Sequence, residues 1–215
     1  MSREEKETNA GYSLWYLHPR LYDIGMLLIN GSFYLKIYKE IAAQIPENAT
    51  ILDIGAGPCT LQRYLKKSCI YEAWDTNKYF VQGSKKNNIN IKDINALEYE
   101  IPKNKYEYII ISGVLHHIHP QEETLVEKSI IAAKKTVIVV EPFANPKQET
   151  RKFYRWLREL RRKTFLERWI GEYDGRNNPE NIIIKTEQQL LLFLDSLGKN
   201  TKTYIGDEII TVYTK

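Results

Sequence analysis

Three aspartates and a cluster of histidines are the residues in this sequence whose types and spacing suit chemistry. Asp53 closes the apolar run of TILDIGAGPCTL, Asp75 closes YEAWD, and Asp93 follows a third short apolar run in IKDINAL. Asp53 stands two residues ahead of Gly55-Ala56-Gly57, a turn in which backbone can approach a ligand closely. A dinucleotide-binding turn sets its glycines against a pyrophosphate, and a carboxylate so near would repel it. That fingerprint also asks for a third glycine at a position held here by Thr60. An acid-lined turn suits a cationic or zwitterionic ligand instead. Further on, Ser112 opens SGVLHHIH, where His116, His117 and His119 are the titratable groups that could take a proton from a substrate. His119-Pro120 reads rather as a turn ahead of a helix.

These residues need a frame that brings strand ends together. Apolar runs predict strands over 50–54, 70–74, 89–91, 106–111 and 136–140, with helices over 61–67, 78–86 and 121–134 between them. Thr60 is the expected cap of the first of these helices. Strands alternating with helices imply right-handed crossovers and a parallel sheet, whose ligands bind at the carboxyl ends of the strands. Asp53, Asp75, Asp93 and Ser112 all fall on that edge. Residues 12–45 read as helical, broken at Asn30-Gly31-Ser32, with Ser32 capping the second helix. A helix over 186–197 capped by Thr186 precedes two strands, 202–205 and 209–213, joined by Gly206-Asp207. The fold class is α/β, a doubly wound, mostly parallel seven-stranded sheet ending in an antiparallel hairpin.

A length of 215 residues suits a single domain, with an N-terminal helical cap over 12–45 and a basic helical insertion over 147–169. The insertion carries Arg151, Arg155, Arg158, Arg161 and Arg162 around a stripe of Phe153, Trp156, Leu157 and Leu160. It reads as a solvated helix docked on the domain, or as a contact for an anionic membrane or other anionic partner. The formal charge of +4 is mild and selects no partner by itself. Cys59 and Cys69 make neither a zinc spacing nor a disulfide framework, and both are expected reduced. The N-terminus lacks the apolar core of a signal peptide, and no apolar run approaches the ~20 residues of a membrane span, so the expected compartment is the cytoplasm. Tyr12, Trp15, Tyr16 and Tyr22 cluster ahead of the helix break. They read either as core or as a flap over a substrate, since rings with polar tips suit pocket walls.

From about residue 50 to 142 the chain resembles the class I S-adenosylmethionine-dependent methyltransferases. The family's D-x-G-x-G-x-G turn, which takes the methionine portion, is matched by Asp53, Gly55, Ala56 and Gly57, with Cys59 standing where the third glycine is usual. The resemblance implies that Asp75, with Thr76 beside it, holds the ribose hydroxyls. It implies that Asp93 accepts from the adenine amino group, that the Ile94 amide meets the ring, and that Ser112 lines the sulfonium side. SGVLHHIH and VVEP resemble the small-molecule branch, and LYDIGMLLINGSFYL is loosely similar to the helix pair of ubiquinone and menaquinone methyltransferases. The Ser112-Gly113-Val114-Leu115 segment departs from the Asn/Asp-Pro-Pro-aromatic pattern of enzymes methylating exocyclic base amines.

The expected cofactor is therefore S-adenosylmethionine, which carries an ammonium, a sulfonium and no phosphate, and no metal is required. The expected reaction is methyl transfer to a small, apolar or lipid-like acceptor, lined by Tyr12, Trp15 and Tyr16, with His116 or His117 as the base where one is needed. The alternatives are an RNA or protein methyltransferase docking through the basic helix, a non-catalytic cofactor-binding subunit, and a nicotinamide dehydrogenase, which Asp53 and Thr60 disfavour.

Overall fold

A computed structural model describes residues 14–144 and 183–215. The basic insertion expected over 147–169, and Tyr12, lie outside the described residues. Seven strands form one sheet: β1 (Thr50–Ile54), β2 (Ile70–Asp75), β3 (Ile91–Asp93), β4 (Tyr108–Ser112), β5 (Thr136–Pro142), β6 (Thr201–Ile205) and β7 (Glu208–Thr214). Their order is β3-β2-β1-β4-β5-β7-β6. The first five run parallel, while β7 pairs antiparallel with β5 and with β6. The hairpin expected through Gly206-Asp207 thus inserts its second strand beside β5. The winding direction reverses between β1 and β4, which opens the crevice of a doubly wound sheet beyond their carboxyl ends.

Alternation along the strands divides the core in two. Leu52, Ile54, Ile109, Ile111, Val137 and Val139 pack on one side with Leu125 and Val126 of α4 (Glu122–Ala132) and Leu190 and Leu194 of α5 (Glu187–Ser196). Ile51, Ala73, Ile110, Ile138 and Val140 pack on the other with Ile37 and Ile41 of α2 (Ser32–Ala43) and Val81 of α3 (Lys78–Lys86). Central strands buried on both faces explain why TILDI, YIIIS and TVIVV read as near-continuous apolar runs.

Four expected boundaries are corrected. The break between α1 (Pro19–Asn30) and α2 falls at Gly31, at φ +59°, within the expected Asn30-Gly31-Ser32, but Gly31 rather than Ser32 occupies the N-cap. The helix expected over 61–67 is only a 3-10 turn, Thr60–Arg63, preceded by Cys59 in the left-handed region at φ +58°. Thr60 does not cap it, because its hydroxyl donates to Asp23 of α1 at 2.6 Å. Strand β3 lies two residues later than expected, since the turn closing α3, with Asn88 at φ +58°, uses the intervening chain. Strand β4 begins at Tyr108, Tyr106 being buried just ahead of it. Thr186, by contrast, caps α5 in a capping box with Gln189.

Candidate functional site

The glycine turn is built by hydrogen bonds from its neighbours. The amides of Gly55 and Ala56 donate to the Trp74 carbonyl at 2.8 and 3.2 Å, which ties the end of β1 to β2. The Gly57 amide donates to Asp75 Oδ2 and the Asn77 amide to Asp75 Oδ1, each at 2.7 Å. One carboxylate therefore holds the turn after β1 against the loop after β2. Gly55, at φ +66°, is also required by packing, because a Cβ there would stand 2.4 Å from Cγ2 of Val114. Gly57, at φ +54°, would meet nothing nearer than the Phe80 ring at 3.9 Å.

Asp53 sits beneath the turn, only 4 % exposed, and accepts a hydrogen bond from the Tyr71 hydroxyl at 2.6 Å. Burial pushes its carboxyl up to about 7, with Tyr71 opposing the shift and Asp75 adding to it. Asp93 is exposed at the end of β3, in register with Asp75. The Ile94 amide donates to the Asp75 carbonyl at 3.3 Å. Thr76 is partly buried between Asp75 and Asn77, and Ser112 closes β4 opposite Val140. The structure thus brings Asp53, Gly55, Ala56, Gly57, Asp75, Thr76, Asp93, Ile94 and Ser112 to one sheet edge.

Asn77, not singled out in the sequence, caps α3 by accepting from the amides of Tyr79 and Phe80. Its side-chain amide donates to the Tyr16 carbonyl at 3.0 Å. The 3-10 turn Leu14–Leu17 is thereby pinned over the Asp75 edge. The Tyr16 and Tyr22 rings both pack edge-on or tilted against Phe80, with centroids 5.9 and 5.3 Å away. Trp15 belongs to the same turn. Asp23 of α1 adds a second anchor, accepting from Tyr34 and Thr60 at 2.9 and 2.6 Å and pairing with Arg63 at 2.8 Å.

Sequence reasoning also missed Glu141 near the end of β5. It is 2 % exposed and gathers four donors: the amides of Val114, Leu115 and His116, and His116 Nδ1 at 2.7 Å. The VVEP motif was its signal, but only the fold shows what the acid grips. A carboxylate can only accept here, so His116 carries its proton on Nδ1 and its basic nitrogen is Nε2. The His117 ring lies tilted against that of His116, 4.1 Å between centroids. His119 instead joins Lys185 on Glu122, at 2.8 and 2.6 Å, an anchor between the start of α4 and the chain entering α5. Glu208 of β7, opposite Pro142, is pushed up to about 8 by burial and by Glu141, with His116 opposing.

The donor set decides what the edge can hold. Asp53 and Asp75 lie against a glycine turn that carries no basic side chain, which fits a cationic or zwitterionic group and opposes a pyrophosphate. Asp75 accepts one amide on each oxygen, and a carboxylate is the kind of acceptor that a ligand hydroxyl needs. Among the described residues no group of three His, Cys, Asp or Glu side chains is placed to hold a metal ion. Cys59 is buried, Cys69 is partly so, and both are free thiols.

Solved structures share this fold. A SAM-dependent methyltransferase from Archaeoglobus fulgidus superposes with a TM-score of 0.62 at 14 % identity, covering 90 % of this chain and 99 % of its own. Magnesium protoporphyrin IX methyltransferase from Synechocystis, solved with SAH bound, gives 0.57 at 11 % identity over 86 % and 84 % of the two chains. An O-methyltransferase family protein from Burkholderia thailandensis gives 0.59 at 10 % identity over 86 % of this chain, which spans only 57 % of that protein's length. No curated protein sequence matches the chain significantly. A family model described as a methyltransferase domain matches residues 29–174, most of the chain and all of the turn, Asp75 and His116. The chain belongs to the methyltransferase-domain family.

Proposed function

We propose that the protein transfers a methyl group from S-adenosylmethionine to a small, largely apolar acceptor. The observation that carries this reading is the Asp75 carboxylate bridging Gly57 and Asn77 at the crevice, beneath an acid-lined turn. Asp75 takes the ribose hydroxyls as their acceptor, with Thr76 beside it. Asp93 and Ile94 border the adenine, and the Gly55-Ala56-Gly57 backbone with Ser112 flanks the methionine portion. Asp53 supplies negative charge under the ligand's cationic end. When bound, the cofactor supplies a methyl carbon already activated by its sulfonium.

The protein's own part is alignment, exclusion of water and, for an acidic acceptor, proton removal. Glu141 holds His116 by Nδ1–H and clamps the three amides leading into it, so Nε2 is a fixed base on the acceptor side. His117 backs that ring, and Tyr16 lies over the Asp75 edge. The exposed Phe33, Tyr204, Ile183 and Ile184 support an apolar acceptor. One structural neighbour acting on a magnesium porphyrin is consistent with it.

Calorimetry with S-adenosylmethionine, its demethylated product and a nicotinamide dinucleotide tests the reading. The sulfonium ligand and its product should bind and the dinucleotide should not. Asp75→Ala should weaken binding ten- to several-hundredfold, since hydrogen bonds to a charged group contribute roughly 1.5–3 kcal/mol each and do not fully add. Dinucleotide binding alone, or an unchanged constant in Asp75→Ala, would overturn the assignment.

A further inference from the structure

We infer that the outer face of helix α1, with the 3-10 turn before it, is a docking surface for an anionic lipid bilayer. Among its described side chains, helix α1 carries apolar residues on both an inner and an outer face. A helix of that kind is ordinarily enclosed, because its second apolar face is unfavourable in water. Here the inner face is used: Pro19 packs on Gly83, Tyr22 packs on Phe80, and Asp23 is anchored to Thr60 and Tyr34. The outer face carries Leu21 and Ile24, 38 % and 50 % exposed, and Leu17 of the preceding 3-10 turn is 38 % exposed. Leu27, 37 % exposed, extends the stripe toward Phe33 at the start of α2, which is 51 % exposed.

The charges around the stripe choose the occupant. Between Leu14 and Lys39 the only acid is Asp23, and that carboxylate is turned inward and paired. Exposed cations lie on the same two helices: Arg20 on α1, and Lys36 and Lys39 on α2. An apolar stripe accompanied by cations and free of exposed acid matches the boundary between lipid headgroups and acyl chains. A second copy of this chain would bring the same cations face to face, so self-association through this surface is disfavoured. No helix among the described residues is long and apolar enough to cross a membrane, so the contact is one of lying on the surface.

The surface is continuous with the site. The same segment is pinned over the Asp75 edge through Asn77 and Tyr16, and Phe33 lies against Gly206 in the hairpin beside the acceptor side. A protein seated by α1 would therefore present its sheet edge to the bilayer, and an apolar acceptor could reach it without crossing water. That last step rests on the proposed methyl transfer; the docking does not.

Vesicle flotation of the full chain tests it, using phosphatidylcholine vesicles with and without 30 mol % phosphatidylglycerol as the probe (roughly the anionic share at which surface cations are drawn in). The wild type should float with the anionic vesicles only, and raised salt should weaken it. Leu21→Ser with Ile24→Ser should cut binding at least tenfold while leaving the melting transition and the affinity for the demethylated cofactor unchanged. Sedimentation in the absence of lipid reads the competing occupant. No flotation of the wild type, equal flotation of the double variant, or a dimer abolished by the same two substitutions would overturn the inference. Loss of flotation with intact cofactor affinity would stand even if methyl transfer failed.

Discussion

At the scale of single residues, Asp53 gives a pH dependence with a definite sign. Its carboxyl is raised from 3.8 to about 7, chiefly by burial, so the folded chain binds a proton there that the unfolded chain has released. The stability this contributes is complete below the unfolded value and is lost as pH rises through about 7. A cationic ligand beside Asp53 favours the ionised form, so binding below that pH expels the proton. Affinity for S-adenosylmethionine should therefore rise between about pH 6 and 8, by up to roughly tenfold per unit at the acid end. Asp53→Asn should flatten the rise, which separates this carboxyl from titration of the ligand's own amine. Calorimetry in buffers of different ionisation enthalpy counts the protons released. An equal pH slope in the variant would remove Asp53 from the binding account.

The elements show where local sequence suffices and where it fails. The central strands were legible because burial on both faces demands unbroken Val and Ile, as in TVIVV. The break at Asn30-Gly31-Ser32 and the Thr186 cap were legible because turn and cap chemistry is local. The shortened helix after the glycine turn was not, because Thr60 is engaged by Asp23, a residue 37 positions away. Asp75, Asp93 and Ser112 announced themselves by sitting at strand ends, whereas Glu141 needed the sheet order to bring β5 beside β4. The same long-range bond makes Asp23 the latch of the cap. Asp23→Ala would leave the buried Tyr34 and Thr60 hydroxyls without their carboxylate and Arg63 without its partner. The expected cost is about 1–3 kcal/mol, the range for stranding buried polar groups. It should appear as a lower denaturant midpoint, and as faster proteolysis confined to the cap when cofactor is absent. A midpoint equal to that of wild type would show that packing of α1, not the latch, holds it.

On the scale of the whole molecule, the proposed function divides the fold into a part that would hold the cofactor and a part that would wall the acceptor. Strands β1, β2 and β3 with α3 carry Asp53, Asp75, Asp93 and the glycine turn. Strands β4, β5 and β7 carry Ser112, His116, Glu141 and Glu208 on the other side of the crevice. The N-terminal segment crosses from one to the other, pinned by Asn77 at one end and touching the hairpin through Phe33 at the other. Cofactor binding at the first part should therefore be felt by that segment. A ligand at 100 times its dissociation constant stabilises the folded state by about 2.7 kcal/mol through mass action alone. Hydrogen exchange should resolve that total into a pattern. Residues 51–63 and 75–80 should gain most, residues 14–27 should follow because Tyr16 and Pro19 pack on α3, and β6 should change least. Protection spread evenly over the sheet, with none at residues 14–27, would mean that the segment is fixed scaffold, and the acceptor would then have to enter from the β6 side.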